Sequence, residues 1–194
     1  MSYRVDSFGD PVTFESGSNV LVSGNTFVTN ERLFDAIVPD EDEQAIVITA
    51  NLDVQSVISE LQNRDVDLEN VGIIDCTTTD SERTDIDLKQ LNSPGDLTGI
   101  SLEFAKLLEN HGESKVRIGM LSLSTTLMYT ELRTLFRFLH VFTARIRSGG
   151  MFGVFSMDPG MHEEQATNTI RAVFDAEARV TDSDEVTLRG SGFT

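Results

Sequence analysis

Short unbroken apolar runs alternate along this chain with longer segments whose apolar positions recur every three or four residues. The first pattern marks strands buried on both faces, and the second marks helices packed by one side. Val20-Leu21-Val22 is the first such run; it passes through Ser23-Gly24 into a predicted helix over residues 30–38 that stops before Pro39. Ala45-Ile46-Val47-Ile48-Thr49 follows, and then a helix over 53–63 with Val54, Val57, Ile58 and Leu61 on one face. Val71-Gly72-Ile73-Ile74-Asp75 is the third run. A polar stretch, 77–92, precedes Ser93-Pro94-Gly95-Asp96, which opens a helix reaching Leu108. Residues 116–123 predict a fourth strand, 131–147 the longest helix and 151–157 a fifth strand. A helix over 162–178 and a last strand, Val186-Thr187-Leu188-Arg189, complete the pattern.

Continuously apolar strands separated by helices predict an α/β three-layer sandwich with a mainly parallel central sheet. Neither a repeat nor a linker divides the chain, so residues 1–194 are expected to form one domain, with 1–18 as a lead-in and 77–92 as a mobile loop. In such sheets ligands bind beyond the carboxyl ends of the strands, which directs attention to the residues just after each apolar run.

Charge sharpens this picture. Thirty-two Asp and Glu oppose 15 Lys and Arg, giving −17, yet 39% of the residues are hydrophobic and 12 are Phe, enough for a real core. A polyanion repels phosphate backbones and anionic membranes, so nucleic acid is disfavoured as a partner and no membrane role is expected. Lys89, Lys106 and Lys115 are the only lysines, the other basic residues being arginine. Many hydrated carboxylates with few ammonium stems suit a protein kept soluble in concentrated salt, where a Debye length of about 3 Å at 1 M screens self-repulsion. Cys76 is the single cysteine, which excludes an intramolecular disulfide and a multi-cysteine metal site. No stretch approaches the roughly 20 apolar residues that span a bilayer, and the N-terminus has no signal-peptide core, so a soluble cytoplasmic protein is expected.

The turn after the first run reads Ser23-Gly24-Asn25-Thr26-Phe27-Val28-Thr29-Asn30-Glu31. A phosphate-binding loop needs several glycines for backbone approach, then a lysine and a hydroxyl for the terminal phosphate and Mg²⁺. Counting from Gly24 puts Thr29 at the second glycine, Asn30 at the lysine and Glu31 at the hydroxyl. The bland alternative is a turn in which Thr29 or Asn30 caps the next helix.

Here the order of segments resembles the KaiC-like and RecA-like P-loop ATPases over residues 20–190. The resemblance rests on Leu21-Val22-Ser23-Gly24, Ile73-Ile74-Asp75-Cys76-Thr77 and Asp96-Leu97-Thr98-Gly99-Ile100, then on Arg117-Ile118-Gly119-Met120-Leu121-Ser122-Leu123-Ser124 and the long helix ending Arg147-Ser148-Gly149-Gly150. The family's Walker A lysine and hydroxyl fall on Asn30 and Glu31, its Walker B aspartate on Leu121 before Ser122, and its catalytic glutamate region on Thr49-Ala50-Asn51. The resemblance therefore implies the fold without the usual chemistry, and no metal or cofactor. The alternatives are an ATP and Mg²⁺ module with a rearranged site near Gly24, Asp75 and Ser122, and a DNA-linked recombinase-type protein. Asp75 could serve by spacing alone as a Walker B aspartate, or simply cap the turn into Thr77.

Other candidate chemistry is thinner. Cys76 at a strand end reads as a packed residue rather than a nucleophile, and Ser122 and Ser124 lack a hydrolase elbow. Asp158, His162 and Glu163 lie close in sequence, but Pro159-Gly160 between them reads as a helix start. At about 100° per residue, Leu132, Leu135, Phe136, Phe138, Leu139, Phe142 and Ile146 form one face of the long helix, with Arg133, Arg137, His140 and Arg147 opposite. That cationic stripe on an anionic protein is either a solvated surface or an acceptor for an acidic patch on another copy or another protein. The resulting expectation is a regulatory or scaffolding protein-interaction module with a vestigial nucleotide site at Ser23, Gly24, Thr29, Asn30, Glu31, Asp75 and Ser122.

Overall fold

The computed structural model describes every residue except Thr84 and Glu113. An eight-stranded sheet runs in the order β10-β9-β3-β8-β7-β4-β5-β6. Its members are β3 (Asn19–Ser23), β4 (Glu43–Thr49), β5 (Val71–Asp75), β6 (Asp87–Gln90), β7 (Lys115–Leu121), β8 (Phe152–Met157), β9 (Ala176–Val180) and β10 (Val186–Gly190). All neighbours pair parallel except β9 and β10, which form an antiparallel hairpin at one edge.

The apolar runs become strands because both of their faces are covered. On one face α1 (Thr26–Ile37) and α2 (Val54–Gln62) bury Leu33, Phe34, Ile37, Val57, Ile58 and Leu61 against Val20, Val22, Val47 and Val154. On the other, α3 (Leu97–His111), α5 (Leu132–Ser148) and α6 (Glu164–Arg171) pack Phe104, Leu139, Phe142 and Ile170 on Leu21, Ile46, Ile118 and Phe155. A short α4 (Leu123–Leu127) follows β7. Asp53 and Asp96 accept the Ser56 and Gly99 N–H groups at the starts of α2 and α3, supplying caps that free helix ends lack.

Four segments differ from the sequence reading. The 1–18 stretch contains an antiparallel hairpin, β1 (Ser2–Val5) with β2 (Val12–Glu15), whose Tyr3, Val5, Val12 and Phe14 are buried. Phe14 and Tyr3 lie 5.0 and 5.4 Å from Phe152, ring centre to ring centre, closing one end of the core. The 77–92 stretch holds the edge strand β6, while Thr84 within it lies outside the described residues. The helix expected over 162–178 ends at Arg171, and its tail is the strand β9. Finally, α1 starts at Thr26 with Asn25 as its cap, displacing both Thr29 and Asn30 from that role.

The N-terminal ends of β4 and β7 are tied by a buried ion-pair group. Arg117 and Glu43, each with a side chain only 2% exposed, pair directly, and Lys115 reaches Glu43 at 3.0 Å. Arg117 Nη1 also donates to the Arg4 and Ala36 carbonyls at 3.0 and 2.9 Å, so one guanidinium joins the hairpin, α1 and the sheet.

Candidate functional site

The β3–α1 turn contains Gly24 and Asn25, after which the helix begins. Three backbone donors here are used internally: Gly24 N–H binds the Met157 carbonyl, Phe27 N–H the Asn25 Oδ1 and Thr29 N–H the Asn25 carbonyl. Gly24 has φ of +155°, and a Cβ there would collide with the Val180 carbonyl, so its glycine is required by the approach of β9. Ser23 Oγ donates to Glu177 Oε1 at 2.7 Å in a buried contact. Glu177 also receives Arg171 at 2.8 Å and Arg179 at 3.2 Å. Burial pushes the Glu177 carboxyl up, but the Ser23 hydroxyl and the arginines outweigh it and hold it below the ordinary range.

Thr29, Asn30 and Glu31 all lie within α1. Thr29 is buried and its hydroxyl donates to the Thr26 carbonyl; Glu31 is exposed, and its carbonyl accepts from Arg64. At the end of β7, Leu121 is buried in the core, and Ser122 Oγ caps α4 by accepting the Thr125 N–H. Asp75 is buried on β5, where its Oδ1 accepts both the N–H and the hydroxyl of Thr77. Four strand steps separate β5 from β3, about 19 Å at about 4.8 Å each. The structure therefore brings Ser23 and Gly24 together but leaves Asp75 far across the sheet.

Asp158, just past β8, contacts the α1 start. Its Oδ2 accepts the Thr26 hydroxyl at 3.3 Å, its Oδ1 accepts the Gly160 N–H, and its own N–H donates to Ser124 Oγ. Among the described residues no three His, Cys, Asp or Glu side chains converge as a metal-binding group. Cys76 is buried, and its thiol is pushed up to about 12, first by burial and then by Asp75 and Asp96. It stays protonated at neutral pH and is no nucleophile. Burial lowers the His162 pKa despite the opposing pull of Asp158.

The same edge of the sheet exposes large apolar side chains. Phe27 after β3, Met161 after β8 and Met128 after β7 are 70%, 51% and 70% exposed, and these three strands are adjacent. Elsewhere, α5 presents Arg133, Arg137, His140 and Arg147 outward, with Val141 exposed among them. Arg147 pairs with Asp175 at 2.9 Å, whereas Arg133 and Arg137 make no ion pair among the described residues.

A model of DUF7504, described as a family of unknown function, matches residues 17–180. The chain belongs to this family. Three solved structures are similar to it, all from Pyrococcus horikoshii. The KaiC-like protein PH0186 shares 13% identity at a TM-score of 0.64, over 97% of this chain and 87% of that one. PH0250 shares 15% at 0.65, over 92% and 88%. The uncharacterized protein PH0321, in complex with an unknown peptide, shares 13% at 0.62, over 92% and 94%. At these identities the likeness is one of fold: a KaiC-like α/β domain built on a mostly parallel sheet. No curated protein matches the DUF7504 chain.

Proposed function

We propose that this DUF7504 domain is a KaiC-like scaffold that works by binding protein, as a regulatory or assembly module, and that it performs no nucleotide chemistry. The observation that carries this reading is the edge formed by the ends of β3, β8 and β7. A phosphate cradle there needs free backbone N–H groups and positive charge. This edge instead has a two-residue turn whose Gly24 N–H is taken by the Met157 carbonyl, the Asp158 carboxylate against Thr26, and exposed Phe27, Met128 and Met161. The residues present do not fit a magnesium nucleotide: no lysine lies in α1, and buried apolar Leu121 ends the strand that would hold the metal carboxylate. Exposed apolar side chains grouped on one edge are the ordinary mark of an interaction surface.

The partner that the charge pattern fits is a second copy of the chain, whose acidic surface would meet Arg133 and Arg137 on α5. A peptide is named in the PH0321 complex for that protein alone; here a protein partner rests on the chain's own residues. Light scattering across concentration and KCl tests this. A mass above 21.4 kDa that falls toward it in the Arg133→Glu/Arg137→Glu variant is expected. A wild-type monomer at every concentration, or an unchanged assembly in the variant, overturns self-association.

A further inference from the structure

The sheet ends in two unlike strands, β10 and β6, and among the described residues no further strand covers either one. The hydrogen-bonding phase of each is fixed by its neighbour. A Cβ on Gly24, just past β3, would strike the Val180 carbonyl oxygen, so that carbonyl faces β3, while the next residue, Thr181, donates its N–H to the Glu185 carbonyl. Alternation then gives Thr187 and Arg189 to β9 and turns the N–H and C=O groups of Val186, Leu188 and Gly190 outward. On β6, Leu91 N–H donates to the Asp75 carbonyl, so Asp87 and Lys89 face β5, and Ile86, Leu88 and Gln90 face outward. Among the described residues these outward groups find no backbone partner. Such rows are templates for another strand.

The side chains of the two edges match. Val186 and Leu188 pack on the core beneath α1 and α2, and so do Ile86 and Leu88. The alternate positions, Arg189 on β10 and Asp87 on β6, therefore lie on the opposite face of the sheet. Arg189 is exposed and makes no ion pair among the described residues. Asp87, its side chain 30% exposed, has Lys89 at 3.3 Å and the Asn110 amide at 3.1 Å. The β10 strand has neither the lysine nor the proline that commonly guards a free edge, and no carboxylate on a chain of −17. Beside it, Phe8, Pro11, Val12 and Phe193 wall a groove of about 530 Å³ whose other side is Val186 and Leu188.

Because β6 runs with the central strands and β10 against them, a second copy set beside the first in the same orientation brings its β6 antiparallel to β10. We propose that copies of this chain join in this way, β10 of one to β6 of the next, extending the sheet from copy to copy. With Leu188 opposite Leu88 of the next copy, outward groups meet outward groups, the two leucines share the face that carries the groove, and Arg189 meets Asp87 of the next copy across the other face. Pairing β10 with a second β10 would leave Arg189 without an acid, whereas the unlike edges supply each other's charge. The contact is heterologous, so each copy keeps one free edge and assembly continues past the dimer. The inference rests on the reading that the partner is a second copy, but it places a contact away from Arg133 and Arg137.

Light scattering and amide hydrogen exchange of the full chain, across concentration at about 0.5 M KCl, test this. The mass is expected to rise past twice 21.4 kDa, with the Leu188 and Leu88 amides exchanging about tenfold more slowly in the assembly than in the dilute chain. Arg189→Asp changes an exposed side chain and should weaken association about threefold or more, since it sets like charges opposite each other. Asp87→Arg should weaken it likewise, and mixing the two variants should restore it. If Asp87→Arg does not fold, Leu188→Lys blocks the same contact from the β10 side. A mass that stops at the dimer, or Arg189→Asp and Leu188→Lys both associating as the wild type does, overturns the proposal. Association lost in Arg133→Glu/Arg137→Glu and in neither edge variant overturns the edge contact while self-association stands. A wild-type monomer at every concentration overturns both.

Discussion

Replacing Arg117 with methionine keeps an unbranched apolar stem but removes the guanidinium, and with it the buried ion pair and its carbonyl bonds. Glu43, with a side chain 2% exposed, would keep only Lys115 at 3.0 Å, the latter 30% exposed, and its bond from the Asp40 N–H. The Arg4 and Ala36 carbonyls would lose the guanidinium that joins the N-terminal hairpin and α1 to β7. Removing one partner of a buried pair costs about 3–5 kcal/mol, and Lys115 places this case near about 3. For a domain of this size each kcal/mol moves Tm by about 2–4 °C, so Tm should fall by about 6–12 °C. The assay is thermal unfolding followed by circular dichroism in molar KCl, where the loss should persist because the pair lies out of reach of screening ions. Lys106→Ala, which breaks the solvated Lys106–Glu103 pair, should leave Tm nearly unchanged. Adding Glu43→Leu to Arg117→Met should restore much of the loss, since no charge is then stranded. A single variant within about 1 °C of wild type, or a double variant worse than both singles combined, would refute the reasoning.

Three further outcomes follow from the same contacts. Glu43 and Glu177 are both held below the ordinary glutamate range, burial being outweighed by Arg117 and Lys115 in one case and by Ser23 and Arg171 in the other. Their contribution is complete above about pH 4.3 and is lost as pH falls through the lowered folded values, so acid titration should show stability declining below about pH 4, with a shallower decline in Glu177→Gln. Gly24→Ala forces a Cβ against the Val180 carbonyl and should cost about 1–3 kcal/mol in urea unfolding; a neutral result would remove the packing explanation for this glycine. At −17, the domain should gain stability as KCl rises from about 0.1 M to about 2 M, and equal stability at both ends would dismiss salt adaptation.

The five central parallel strands were legible because sheets covered on both faces demand continuous apolar runs, and β3, β4, β5, β7 and β8 contain them. The α2 and α5 helices were legible from single apolar faces of the right period. What escaped depended on partners far away in sequence. In β9, Ala176-Glu177-Ala178-Arg179-Val180 alternates small and charged residues, and it reads as helix until β3 and β10 claim its two edges. The β6 strand holds one large apolar residue, Leu88, and exists through its pairing with β5. The hairpin before β3 alternates Tyr3, Val5, Val12 and Phe14, a signal too short to read without Phe152 beneath it.

The edge of the sheet was legible in a more limited way. Counting from Gly24 pointed to the β3–α1 turn, but Asn25 caps α1 and starts the helix early, moving Thr29, Asn30 and Glu31 onto it. Asp158 was noticed beside His162 and Glu163, whereas its contact with Thr26 crosses from one strand end to the next. The arginine stripe on α5 was read correctly as an exposed face, but Arg147 is spent on Asp175.

Whether the KaiC-like fold has been retained here without its nucleotide is tested most directly by calorimetry of ATP with Mg²⁺ in molar KCl. Heats no larger than dilution are expected up to about 1 mM nucleotide. Saturable binding in the micromolar range would contradict it.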